Sequence, residues 1–232
     1  MSDRLDFDLQ RMSRRWVAYF DLLGFSELVK STDIVNVFYR WELCLKDFRQ
    51  NLARHPELEF ANFSDTFLIY APDESIRSFS AIDNCSRYFF QHVLLRHFPL
   101  RGAMACDEFY ADKPNSVFLG KALVMAHEFG EQFNWVGYTL SPSALARMQQ
   151  IGLAECPCHY RRSYVPTKSV PLEATALLCG GGKGRDHIRA LEQMRQASLD
   201  SMTAKHSHSD QIARVTQKYD NAIQFIKRFE DA

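Results

Sequence analysis

Two aspartates each lie where an apolar run gives way to a change in chain direction. Asp21 closes the run in "WVAYFDLLGF", and Asp65 interrupts "EFANFSDTFLIYA". Mg²⁺ is usually held by only one or two protein carboxylates, while phosphate and water oxygens fill its other positions. The pair therefore predicts a divalent metal site if the fold brings the two residues together. A lone aspartate can also serve only as a turn or helix-cap residue, and this alternative stays open.

The turn that follows Asp21 predicts a phosphate contact beside the metal. In "DLLGF", Gly24 breaks the strand just before a helical pattern begins. The backbone amides of Leu23, Gly24 and Phe25 would then point outward at a helix N-terminus, where anions bind favourably. Metal and phosphate are thus expected at one place.

The elements that must position these residues alternate between strand and helix. Aromatic and β-branched residues predict a strand ending at Asp21 and a hairpin with Ser64 and Asp65 at its turn. Helical spacing occupies the stretches from 26 to 48, from 75 to 98 and from 121 to 133, and "PLRGAMACDEFY" and "GYTL" are predicted strands. The order β-α-ββ-α-β-α-β favours an α+β sandwich with a mostly antiparallel central sheet.

A glycine-rich break, "CGGGKGRD", precedes a polar, helix-prone segment. It predicts a domain at residues 1–180 and a C-terminal helical segment at 181–232. The segment carries an apolar stripe at steps of three and four, which needs a partner surface on the domain or across a dimer. The stripe residues are Ile212, Val215, Tyr219, Ala222, Ile226 and Phe229. The "GGGKG" stretch lacks the spacing of a P-loop.

Composition limits the classes of partner. The 232 residues, 46% of them hydrophobic, can bury a substantial core. Lys+Arg and Asp+Glu balance at 28 each, so nothing draws the chain toward nucleic acid or an anionic membrane. No signal-peptide or membrane-spanning run occurs, and six scattered cysteines show no disulfide framework, so a cytoplasmic protein is expected.

Several motifs together resemble one family. "VAYFDLLGFSELV" resembles the first metal motif of class III nucleotidyl cyclases, and "FANFSDTFLIYA" resembles their second metal hairpin. "LRGAMACDEF" and "FLGKALVMAHEFGE" are similar to the strand and helix that follow, in the same order, over about residues 15 to 146. The resemblance implies a class III cyclase-like sandwich, related to the ferredoxin-like fold, with a C-terminal helical extension.

The resemblance also implies roles for individual residues. Asp21 and Asp65 would be the catalytic residues and would bind two Mn²⁺ or Mg²⁺ ions, with the Leu22 carbonyl as a further ligand. In that family the sites form at a head-to-tail dimer interface, so a homodimer is expected. The residues implied to contact the nucleotide are Phe20, Leu23, Gly24, Phe25, Arg101 and Lys183. For Arg101 a structural role is an equal alternative.

Departures from the family are equally informative. Ala61 and Val117 stand where the purine cyclases carry their two base-reading residues, and Asp107 replaces a glycine. Val124 and Glu128 occupy the positions of the transition-state Asn and Arg. Either the chain is an inactive cyclase fold or it reads a different base, and the retained metal pair favours the second.

Short cyclases with "DLLGF" and "SDT" resemble the uridylate and cytidylate cyclases of bacterial Pycsar anti-phage systems. This resemblance implies conversion of UTP to 3',5'-cyclic UMP and pyrophosphate, as a signal to a separate effector protein. A cytidylate cyclase, a catalytically inactive nucleotide-binding module and an adenylate cyclase with other base contacts remain alternatives.

Overall fold

The computed structural model describes residues 12–31, 34–153, 159–178 and 184–230, without the side chains of Ser31 and Glu230. Within these ranges the strands are β1 (Ser13–Leu22), β2 (Glu59–Phe63), β3 (Thr66–Tyr70), β4 (Leu100–Asp112), β5 (Val117–Leu119), β6 (Gly137–Leu140), β7 (Tyr160–Val165) and β8 (Leu172–Leu177). The helices are α1 (Phe25–Ser31), α2 (Ile34–Leu52), α3 (Ile76–Leu95), α4 (Lys121–Glu131), α5 (Pro142–Gln150), α6 (Gly184–Ala204) and α7 (Ser209–Glu230).

The strands form one mixed sheet in the order β2-β3-β1-β4-β6-β8-β7, with β5 paired to the far end of β4. The β4–β6 pair is parallel, and the other pairs are antiparallel. The expected α+β fold with a mostly antiparallel sheet and C-terminal helices is therefore confirmed.

The central strand β1 is covered on both faces, which explains why its sequence is a continuous apolar run. Trp16 and Phe20 face the main core beneath α2 and α3. Val17 and Tyr19, which alternate with them, face α4. Because Asp21 is two residues beyond Tyr19, it belongs to the α4 face.

A glycine in α4 lets the helix lie directly on the sheet. A Cβ atom at Gly130 would lie 3.2 Å from the Gly102 carbonyl carbon in β4. A larger side chain at Gly130 would push the helix away. The C-terminal end of α4 is thereby held close to the face that carries Asp21.

The C-terminal helices pack within the chain. Tyr219, Ala222 and Ile226 of α7 are buried in the main core together with residues of α6. Phe225 joins a second cluster, its ring centroid 5.2 Å from that of Trp135. The apolar stripe of α7 thus contacts both α6 and the sheet, while the division of the chain at residue 180 stays a prediction.

The sequence patterns missed β5, β7 and β8. The strand β7, "YRRSYV", lies at the edge of the sheet and exposes Arg162 and Tyr164, so it has no continuous apolar run. β5 has only three residues. None of the helices in the described ranges is long and apolar enough to cross a bilayer.

Candidate active site

Asp21 lies near the end of β1, between two neighbouring strands. It is in register with Thr66 of β3 on one side and with Arg101 of β4 on the other. Its side chain is 18% exposed, which makes it a mostly buried carboxylate at the rim of the sheet.

Asp65 is brought to the same rim by a tight hairpin. Phe63 pairs with Thr66, which leaves Ser64 and Asp65 as the two turn residues, and Ser64 has a φ of +54°. The Leu22 amide donates to the Asp65 carbonyl oxygen at 2.9 Å, which ties the hairpin turn to the end of β1. The fold therefore places Asp21 and Asp65 together, as the sequence predicts.

An arginine and a glutamate complete the charge cluster at this rim. Arg101 donates through Nη2 to Asp21 Oδ2 at 3.1 Å and also forms an ion pair with Glu131, the last residue of α4. The pKa of Asp21 is raised, chiefly because burial disfavours its charge; Arg101 lowers that pKa, and the charges of Glu131 and Asp65 raise it further.

This donor set fits a divalent cation. Burial raises the pKa of Asp21 most, and the charge of Asp65 raises it further, so a divalent cation held between these two carboxylates would offset their repulsion. No cluster of three or more His, Cys, Asp or Glu side chains suited to a metal occurs in the described part of the chain. Metal would thus be held by the Asp21 and Asp65 carboxylates, with the Leu22 carbonyl and substrate phosphates, a set typical of Mg²⁺.

The turn after β1 matches the expected phosphate contact only in part. Gly24 has a φ of +67°, a conformation that favours glycine, and α1 begins at Phe25. The Leu23 amide donates to the Pro99 carbonyl oxygen at 2.8 Å. The expectation that this amide points outward is therefore wrong, since it is already bonded within the protein. The contacts of Gly24 and Phe25 stay predictions.

An open cleft of about 350 Å³ adjoins the carboxylates through Tyr19 and Thr66. This volume lies at the small end of the range for small-molecule sites. Its lining residues are Tyr19, Phe63, Thr66, Leu68, Ser116, Phe118, Leu123, Val124 and His127.

The two positions where purine readers would be expected carry apolar residues. Ala61 packs against the cluster that contains Tyr19 and Leu68. Val117 lies between two lining residues, Ser116 and Phe118, and neither Val117 nor Ala61 is itself among the residues that line the cleft. Neither Ala61 nor Val117 offers a side-chain hydrogen bond to a base edge.

Polar groups occur elsewhere in the cleft. The Tyr19 hydroxyl has a raised pKa, chiefly through burial, and a hydrogen bond with Thr66 partly offsets that shift. The His127 ring meets the Tyr19 ring edge-on, with 5.0 Å between centroids. A base in the cleft would meet these groups.

The remaining predicted residues divide into three cases. The Phe20 side chain is fully buried and stacks on Tyr138, on the face opposite Asp21, so a nucleotide contact through this ring is wrong. Asp107 pairs with Arg14 and is not part of the charge cluster. Lys183 lies outside the described residues.

Sequence reasoning missed Tyr19, Glu131 and Lys168, which makes an ion pair with Glu131 at 3.5 Å. The alternation of side chains along a strand could have found Tyr19, because it precedes Asp21 by two positions. No local pattern identifies Glu131 or Lys168, since tertiary packing alone brings them to the site.

Among the comparisons with known proteins, only the comparison with solved structures supports the fold. No protein-family model and no curated protein matches the chain. The adenylyl cyclase CyaB from P. aeruginosa is similar, with a TM-score of 0.52 and 10% identity over 74% of this chain and 96% of that one.

Two further solved structures are similar. The catalytic core of a rhodopsin-guanylyl cyclase with converted specificity, in complex with ATPαS, gives a TM-score of 0.56 and 10% identity over 72% of this chain and 95% of that one. A dimeric guanylyl cyclase domain from the aquatic fungus Blastocladiella emersonii gives 0.53 and 10% identity over 72% and 96%. The chain described here has the fold of class III nucleotidyl cyclase domains.

Proposed function

We propose that this chain is a nucleotide cyclase that converts UTP into 3',5'-cyclic UMP and pyrophosphate. The observation that carries the proposal is the meeting of Asp21 and Asp65 at one rim, beside an open cleft. A fold shared with adenylyl and guanylyl cyclases supports cyclisation, and the apolar residues Ala61 and Val117 at the purine-reader positions support a pyrimidine.

The reaction forms one bond and breaks another at the α-phosphorus. The ribose 3'-oxygen attacks that phosphorus, its proton passes to water, and the bond to the bridging oxygen of pyrophosphate breaks. Asp21, Asp65 and the Leu22 carbonyl would hold two Mn²⁺ or Mg²⁺ ions, which when bound would activate the hydroxyl and neutralise phosphate charge. Arg101 lies where it can exchange its carboxylate partners for a phosphate.

The preference for a pyrimidine over a purine follows from the polar atoms of the base that would be left without hydrogen-bond partners. Ala61 and Val117 stand where purine cyclases carry their base-reading residues, so a purine would lack those two partners for the hydrogen-bonding atoms of its edge. Each such buried group costs about 1–3 kcal/mol, which corresponds to roughly 5- to 150-fold in binding. A pyrimidine is smaller and is expected to meet Tyr19, Thr66 and His127 instead. CTP stays the second candidate substrate, because these groups can serve either pyrimidine.

We further propose a homodimer with the cleft at its interface. Large apolar side chains are exposed around the cleft. They are Phe63 on the β2–β3 hairpin, Leu119 on the β4–β5 hairpin, and Val124 and Met125 on α4. Such a patch is typical of a protein interface. The fungal domain is described both as a dimer and as a monomer, so the fold alone does not fix assembly. The signalling role toward a separate effector in anti-phage defence rests on the motif resemblance.

One alternative has an observation in its favour. Asp21 is already paired with Arg101, and the transition-state positions carry Val124 and Glu128. A nucleotide-binding module without catalysis would fit these features.

Separate incubations with each of the four ribonucleoside triphosphates and Mn²⁺, followed by mass spectrometry, would test the proposal. We expect cyclic UMP as the main product. Cyclic CMP as the main product would leave a pyrimidine cyclase but correct the base. Cyclic AMP or cyclic GMP as the main product would overturn the pyrimidine assignment, and no cyclic product would favour the inactive module.

A further inference from the structure

The C-terminal helix α7 is fastened to the strand that adjoins Arg101. The Val136 amide donates to the Lys218 carbonyl oxygen at 3.3 Å, and Asn221 Nδ2 donates to the Asn134 carbonyl oxygen at 2.7 Å. Val136 immediately precedes Gly137, which is the register partner of Arg101 in the β4–β6 pair. These bonds hold the middle of α7 beside the charge cluster at the rim.

Lys218 brings a further positive charge to that cluster. Its side chain is half-buried, and its pKa is lowered, first by burial and then by the charges of Arg101 and Lys168; the carboxylates of Asp21 and Glu131 act in the opposite direction. Three cations from β4, the β7–β8 connection and α7 therefore converge on one end of the candidate site.

The cluster leaves cationic groups short of partners. In the described part of the chain no carboxylate lies within 4.0 Å of the Lys218 ammonium, although Arg101 has two such partners and Lys168 has one. Arg101 is buried, and no hydrogen-bond partner of its Nε is found among the described residues. A half-buried ammonium is costly without a counter-charge, so this arrangement suits an anionic ligand.

We propose that Lys218 binds the triphosphate of the nucleotide, so that α7 is part of the active site. This inference rests on the proposed function. A triphosphate carries several negative charges, and a lysine on a flexible stem can meet them as a mobile point charge. The helix lies beyond residues 15 to 146, which carry the motif resemblance, so those motifs give no hint of it.

The test compares Lys218→Gln with Lys227→Gln in the full chain. Lys227 is a matched control because it lies on the same helix but is exposed, and its nearest carboxylate is Glu192 at 3.9 Å. Isothermal calorimetry with magnesium tripolyphosphate measures anion binding without any need for turnover. We expect Lys218→Gln to weaken this binding about tenfold or more, while Lys227→Gln binds like the wild type. Lys218→Met keeps the aliphatic stem and should show the same loss if Lys218→Gln fails to fold.

Kinetics separate a substrate contact from a structural role. With UTP, Lys218→Gln should raise KM more than it lowers kcat, with an unchanged melting temperature. Tripolyphosphate binding unchanged in Lys218→Gln, or absent in the wild type, would overturn the inference. Cyclic UMP formation with an unchanged KM in Lys218→Gln would overturn it while leaving the proposed function intact. Lys218-dependent tripolyphosphate binding without any cyclic product would overturn the proposed cyclase function but support the anion site.

Discussion

At the residue scale, Asp21 is held in an electrostatically unfavourable state. Burial and the neighbouring acids outweigh Arg101, so its pKa is raised although an arginine lies 3.1 Å away. Such a carboxylate gains more from a bound metal than a solvated one does, because its charge is poorly compensated beforehand. The position is suited to catalysis rather than to stability.

We expect Asp21→Asn and Asp65→Asn each to abolish cyclase activity, since each removes an expected metal ligand. Activity with Mn²⁺ and UTP would be measured beside Asp200→Asn. Asp200 is exposed on α6 and bonded to Gln196, away from the rim, so this control should retain wild-type turnover. Substantial activity in either site variant would exclude that acid as a metal ligand.

Stability should respond to pH through Asp21. Its folded pKa lies above its ordinary value, so its contribution to stability is full below the ordinary pKa and is lost as pH rises through the raised one. Asp21→Asn mimics the protonated form. In urea unfolding with EDTA, the stability of Asp21→Asn relative to wild type should increase as the pH rises above the ordinary aspartate pKa of about 3.9 and through the raised pKa. A constant or shrinking difference would contradict the assignment.

The positions of Asp21, Gly24 and Asp65 at one rim could be predicted because their signals are local: an apolar run, a strand break and a hairpin turn. Glu131 and Lys218 lie on helices whose local patterns are ordinary. Their importance comes only from the elements that pack beside them, which no short sequence window contains. The outward Leu23 amide was mispredicted for the same reason, since its partner Pro99 is far along the chain.

At the element scale, the close pairing of β4 with β1 depends on Gly102, which is the register partner of Phe20. A methyl group there would meet the Tyr19 carbonyl oxygen and the Phe20 ring, so β1 or β4 would have to shift. We expect Gly102→Ala to lower the free energy of unfolding by about 1–3 kcal/mol and to reduce activity, because Arg101 is its neighbour. Chemical denaturation would measure the loss.

Gly130→Ala is a milder substitution for comparison, since its added methyl group would come no closer than 3.2 Å to the sheet. It should destabilise less than Gly102→Ala. Equal stability of Gly102→Ala and wild type would mean that β1 and β4 can move apart around the added methyl group without a measurable loss of stability.

The elements flanking Asp21 and Asp65 could be predicted because β1, the β2–β3 hairpin, α3 and β4 combine strong periodicity with clear breaks. The β7–β8 hairpin could not, because an edge strand that exposes Arg162 and Tyr164 lacks the apolar signal of a buried strand. Its place in the sheet is set by pairing with β6 through β8.

At the scale of the whole molecule, the exposed apolar residues near the cleft predict self-association. Val124→Glu places a charge on α4, where a partner subunit is expected, and should convert a dimer to a monomer with loss of activity. Light scattering would measure the mass. Phe38→Glu on α2 is the control, because Phe38 is equally exposed but α2 lies on the opposite face of the sheet. A monomeric wild type, or a Val124→Glu protein that stays dimeric, would contradict the predicted interface.

The bond between Val136 and Lys218 also implies an order in which the parts of the site assemble during translation. Lys218 is added 117 residues after Arg101, and ribosomes add roughly 5–20 residues per second, so about 6–23 s separate the two. The strands β1, β3 and β4 can pair within that interval, before α7 exists. A nascent chain would then hold the aspartates without the third cation, and tight nucleotide binding would begin only once α7 has docked.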